Sequence, residues 1–334
     1  MDPRRRQIAS IRAGLAIATG LAALVLPLAA NAYVTDVATL ILIYVMLGLG
    51  LNIVVGYAGL LDLGYAAFFA IGAYSSAILT VHHHMSYWLT IPVAACLTTV
   101  SGAIIGAPTL RMRSDYLAIV TLGFGEIVRI TATNLSFSGG PDGVWGIPRP
   151  SIGPVTLSGS AALYYLGLAF AAAVLMLAHN AARSRLGRAW RAVREDEIAA
   201  RAAGINTVSA KLKAYMLGAL LGGVAGSFFA VKLTAIDPTS FTFVQSVNIL
   251  MVVILGGMGS LPGVVLGAVV IVGLPEVLRA FQTVRMLAFG VGLILLMLLR
   301  PQGLWPSRMG TLGRHAAAPA SGRPEPTSQA AASG

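Results

Sequence analysis

The 334-residue chain is 57% apolar and only 10% charged, with a mean hydropathy of +0.80. A soluble domain carries about 25% charged residues, and so apolar a chain would run out of polar groups for a water-facing shell. Lipid removes that conflict, so the formal charge of +11 needs a membrane explanation rather than a nucleic-acid one.

In chain order, residues 1–13 are a basic leader carrying Arg4, Arg5, Arg6 and Arg12. The first apolar run, Gly14 to Tyr33, ends near Ala30-Asn31-Ala32, which imitates a signal-peptide cleavage site. The run exceeds the usual apolar length of a signal peptide, so a retained span is expected. Val37 to Val55 is the second span, with Asn52 inside it. Gly56, Gly59 and Gly64 surround Asp62 and predict a tight turn or helix break before the third span, Gly64 to Val81. Asn52 and Asp62 must find partners within protein; they are either helix–helix glue or a lining of a transport path.

His82, His83 and His84 follow, but adjacent side chains do not converge well on one metal, and no metal is expected. Trp88 to Pro108 is a fourth span and Tyr116 to Asn134 a fifth, interrupted by Glu126 and Arg129. These two stand at i and i+3 on one helical face. Alone at mid-membrane each would cost roughly 2.5–3.5 kcal/mol, so they either neutralise each other or face a polar route. Glu276 and Arg279 repeat the spacing nearer an interface. After Ser138-Gly-Gly-Pro-Asp-Gly, a turn or a docking surface, comes the sixth span, Ala161 to Asn180.

Residues 184–213 are the longest polar stretch between spans. From Arg188 to Ala203 there is neither Gly nor Pro, which favours one amphipathic helix. Arg191–Glu195 and Glu197–Arg201 are i,i+4 pairs, and Gly204 suits a left-handed C-terminal cap. Such a helix either holds two spans together or docks a partner protein. Ala214 to Val231 is the seventh span. Phe243 to Gly257, Pro262 to Leu278 and Val284 to Leu299 are shorter, with Gly256-Gly257-Met258-Gly259 breaking the first pair. Residues 307–334, rich in Ala, Pro, Ser and Gly, read as a disordered tail.

The expectation is an all-α, polytopic bundle of about ten spans (eight to ten), with a transmembrane domain over 14–306. Eighteen of the 23 Lys and Arg residues, Arg111 and Arg113 included, fall in the segments that ten spans place on one side. The positive-inside rule then puts both termini in the cytoplasm. The basic segments face anionic lipid, which explains the charge without nucleic acid. No glycine precedes Lys211, Lys213 or Lys232, the only lysines, so no phosphate-cradling Gly-Lys-[Ser/Thr] exists and the chain is not expected to be an enzyme or to bind a cofactor itself.

Four stretches resemble the LivM-type permease family of bacterial branched-chain amino acid ABC importers. They are Gly50 to Tyr74; Asp115 to Arg129 with Gly139 to Gly143; Glu197 to Asn206; and the run from Ser240-Phe-Thr-Phe through Ile254 to Gly263, closed by Arg300 to Leu304. The resemblance implies a type II-like importer architecture in the inner membrane and a homologous second permease subunit forming a heterodimer. It further implies two cytoplasmic ATPases holding ATP and Mg, and a periplasmic amino-acid-binding protein. It makes the 188–203 helix the ATPase-coupling helix, with Trp190, Arg191, Arg194, Glu195, Asp196, Glu197, Arg201 and Gly204 as its residues. The same motifs are largely shared with permeases for urea and short amides, which stay as an alternative substrate class. A stand-alone channel, an ion-driven transporter or a scaffold is the rival from other classes.

Overall fold

The computed structural model describes residues 20, 23–110, 114–153, 155–278, 290, 291, 294, 298–300 and 302–305. Ten α-helices carry the fold among them. They are α1 (Ala32–Leu51), α2 (Ala66–Val81), α3 (Tyr87–Thr109), α4 (Ser114–Asn134), α5 (Ser160–Arg183), α6 (Arg185–Glu195), α7 (Glu197–Ala202), α8 (Thr207–Leu233), α9 (Phe243–Gly256) and α10 (Leu261–Val277). Residues 23–29 are also helical.

Among the described residues, five helices are long and apolar enough to cross a membrane: Ala32–Tyr57, Tyr87–Thr109, Tyr116–Asn134, Ser160–Arg183 and Thr207–Leu233. Three more, α2, α9 and α10, are apolar but shorter. Of the ten expected spans, Val284 to Leu299 and the start of Gly14 to Tyr33 lie largely outside the described residues, as do the leader, the tail, Arg111, Arg113 and Arg279.

The polypeptide wraps around α8, which packs against α1, α2 and α3. Without water to drive helices together, close approach of small residues supplies the contact. A Cβ added at Gly72 would meet Gly223 O at 2.3 Å, and one at Gly226 would meet Phe69 O at 2.2 Å. Tyr65 Oη donates to Gly218 O at 2.8 Å across the same seam. Phe68, Phe69, Phe228, Tyr65 and Tyr215 fill the remaining space and are fully buried.

The last turn of α1 is not α-helical. Asn52–Tyr57 winds as a π-helix, and Ala58 N donates five residues back to Ile53 O. Asn52 Oδ1 accepts from Gly259 N at 2.8 Å, which ties this turn to the α9–α10 connection. The glycine run breaks the chain as expected: α9 ends at Gly256, Gly257 takes φ +113°, and Ser260 caps α10 by accepting from Gly263 N. Residues 302–305 close over this turn, with Leu304 N donating to Leu255 O at 2.8 Å.

At the opposite end the loops form two small antiparallel ribbons. β1 (Val144–Trp145) pairs with β4 (Ala235–Ile236), and β2 (Ser151–Ile152) pairs with β3 (Val155–Thr156). The Gly-Pro-rich loop is therefore pinned to the end of α8 rather than forming a free turn. Lys232 and Asp36 form an ion pair between α8 and α1 at this end.

Candidate functional site

The polar segment folds as two helices, not as the single helix expected over Arg188 to Ala203. Asp196 takes an extended conformation (φ −156°, ψ 111°), ending α6 and starting α7. Its Oδ1 accepts from Ile198 N at 2.8 Å and Ala199 N at 2.9 Å. An aspartate is among the best helix N-caps, and that preference outweighs the mild helix propensity of its neighbours.

The structure sorts the eight expected residues into two groups. Trp190 is fully buried, and its Nε1 donates to Ala210 O at 2.8 Å, so its ring anchors α6 to α8 and offers no docking surface. Arg191 points inward too, Nε donating to Gly187 O and Nη2 to Ala182 O. Arg194 reaches Gly56 O in the π turn, and its stem covers Gly59. Arg194 is nonetheless exposed, as are Glu195, Asp196, Arg201 and Gly204, and Gly204 has the expected left-handed conformation at φ +82°.

Glu197 is the joint between these groups. It pairs with Arg201 at 3.1 Å, as the spacing predicts, and with Lys211 of α8 at 2.6 Å. Lys211 is buried. Partial burial pushes the Glu197 carboxyl up, but the Lys211 hydrogen bond and charge, then Thr207 and Arg201, outweigh it. The carboxyl titrates below its ordinary value. Sequence reasoning missed Lys211, because no helical period relates residues 197 and 211. It also missed Ile198, which is 83% exposed amid the charges and projects as an apolar knob.

The residues expected to line a path or fill a polar core lie in separate places. Asn52 is fully buried beside the π turn; a Cβ at Gly56 would sit 2.0 Å from its Oδ1. Asp62 is fully buried in the connection between α1 and α2 and accepts from Gly64 N at 2.8 Å, with Thr121 and Tyr215 beside it. Leu63 N donates to Thr121 Oγ1 at 3.1 Å, fixing that connection against α4. Glu126 and Arg129 are apart from both. Arg129 Nε donates to the two carboxylate oxygens of Glu126 at 3.0 and 3.1 Å, and the side chains stay 42% and 29% exposed.

The family model for the branched-chain amino acid transport system permease component matches residues 33–299, which span α1 (from its second residue) to α10. The chain belongs to this permease family. It is 42% identical over 295 residues to the high-affinity branched-chain amino acid transport system permease protein LivM of Escherichia coli K12, covering 81% of this chain and 69% of that protein. It is 26% identical over 322 residues to the probable LivM permease of Methanocaldococcus jannaschii, covering 80% of this chain and 91% of that protein. The match to the E. coli permease LivH is 33% over 125 residues, 36% of this chain and 40% of that one. No solved structure matches. α6 and α7 form a polar, largely surface-exposed helical unit between the membrane-length helices α5 and α8.

Proposed function

We propose that this permease chain is the membrane-spanning subunit of an ABC importer that carries leucine, isoleucine and valine across a bacterial inner membrane. The observation that carries the reading is the 42% identity with a LivM permease over 81% of the chain. Its match to LivH as well supports a heterodimer of two homologous permeases, with a type II-like arrangement of about ten spans in each. Both termini lie in the cytoplasm, where the basic segments collect.

In this reading α6 and α7 receive the motion of two partner ATPases, which hold the ATP and Mg. The outward residues, Glu195, Asp196, Ile198 and Arg201, make the contact. Trp190 and Glu197, together with Arg194 through its contact with Gly56, pass it to α8 and α1. ATP binding closes the ATPases, the helix pair moves, and the spans convert from inward- to outward-facing. A periplasmic binding protein then releases its amino acid into the cavity.

Uptake by the reconstituted importer, assayed with labelled leucine and labelled urea in parallel, tests the assignment. ATP-dependent leucine uptake is expected. Uptake of urea without leucine moves the chain to the amide branch, and transport without partner ATPases makes it a channel or an ion-driven carrier.

A further inference from the structure

The ion pair on α4 lies within a membrane-length helix and ties it to no other element. Lys232–Asp36 joins α8 to α1, and Lys211–Glu197 joins α8 to α7. Glu126–Arg129 joins α4 only to itself. An i,i+3 pair on one helix adds little to stability, and carrying two charges in a membrane span for so small a return is unusual. The pair stands near the midpoint of α4, the least covered of the five membrane-length helices, with 22% of its apolar window buried. Half-exposed charges at that depth are unfavourable against lipid tails, so this face looks onto water or protein.

The face has a particular chemistry. Leu122 and Ile130, one turn to either side of Glu126, are exposed, as is Ile119. Gly123 lies one turn before Glu126, and a Cβ added there would meet nothing within 4 Å. A carboxylate and a guanidinium side by side, flanked by aliphatic groups with open space between, complement a molecule with an ammonium, a carboxylate and an aliphatic branch.

We propose that Glu126 and Arg129 form a transit site for the zwitterionic head of the amino acid. This rests on the importer reading above. Glu126 takes the α-ammonium, Arg129 takes the α-carboxylate bidentately, and the aliphatic side chain lies in the space over Gly123 against Leu122. The exchange conserves charge pairing: one protein ion pair opens and two protein–ligand pairs form, so no charge is left alone at mid-membrane. Between passages the two side chains close on each other, which explains why they share one helix.

The test uses the whole importer, with partner subunits and binding protein, in proteoliposomes. The double variant E126Q/R129Q removes both charges and leaves no unpaired one. It is expected to assemble with an unchanged melting temperature while leucine uptake falls at least about tenfold, the loss expected from giving up charge-assisted hydrogen bonds. The single variants E126Q and R129Q are expected to fall as far. If the double variant transports leucine like the wild type while the singles fail, the pair serves only to neutralise itself and the proposal is wrong. A double variant that loses assembly or melting temperature together with uptake also overturns it, because the pair would then hold the fold. A wild type that carries a neutral amide and no leucine overturns the importer reading, and the transit site with it.

Discussion

The guanidinium of Arg194, on the last turn of α6, donates to the carbonyl oxygen of Gly56 in the π turn of α1. Carbonyls at the end of a helix lack intrahelical partners, and a cation there also meets the negative end of the helix dipole. A residue of the polar segment thus caps a membrane span. Arg194→Ala removes this cap and is expected to lower uptake about tenfold, from a local loss of about 1–2 kcal/mol. The partner ATPases should still co-purify in full ratio, since the Arg194 guanidinium is engaged by Gly56. Loss of the ATPases from the purified complex would place Arg194 at the docking surface instead.

Glu197 and Lys211 predict an asymmetry. Removing the carboxylate leaves the buried Lys211 ammonium without its partner, which costs about 1–3 kcal/mol once the partial exposure of Glu197 is discounted. Lys211→Met paired with Glu197→Gln leaves no charge behind and should be milder than Glu197→Gln alone. Thermal melting of the detergent-purified complex compares the three variants. Equal melting of single and double variants would mean that the ion pair contributes nothing.

The same pair sets an acid limit. The folded Glu197 carboxyl titrates below its ordinary value of 4.5. A depressed acid lends stability that is present above the unfolded value and is lost as pH falls through the folded one. The docking segment should therefore hold unchanged from neutral pH to about 5 and loosen below about 4.5, read as faster amide exchange in α7. Glu197→Gln should flatten that dependence.

Asp196→Ala removes the acceptor of two backbone N–H groups at the start of α7 and should cost about 0.5–2 kcal/mol. The two helices are then free to merge into the one that the Ala-rich sequence favours. Amide exchange at Ile198 and Ala199 should rise, and Asp196→Asn should restore protection, because Asn caps equally well.

The broad fold was legible because the solvent is lipid: the lengths of apolar runs and the placement of basic residues identify a helical membrane bundle directly. Gly204 and the Gly256–Gly259 break were legible because left-handed backbone and tight turns select glycine. The break at Asp196 was hidden by its surroundings, since helix formers flank a residue whose capping role shows only in extended backbone. Trp190 was placed on the coupling helix by the resemblance alone, which does not say which way a side chain faces, and its ring packs inward against α8. Lys211 could not be paired with Glu197 from spacing, because a turn separates their helices. The π turn left no mark either, as Asn52 to Tyr57 reads like any apolar helix.

The α2–α8 seam has a mechanical consequence. Gly72 faces Gly223, and Gly226 faces the main chain at Phe69, so two smooth backbones touch where side chains would normally interlock. Interlocked side chains act as teeth that resist motion along a helix axis. At these positions the two rods lack them, so, as with a drawer on its rail, their register is held by the Tyr65–Gly218 and Ser227–Ser76 hydrogen bonds and the flanking aromatic rings. Gly72→Leu would fit the drawer with a stop.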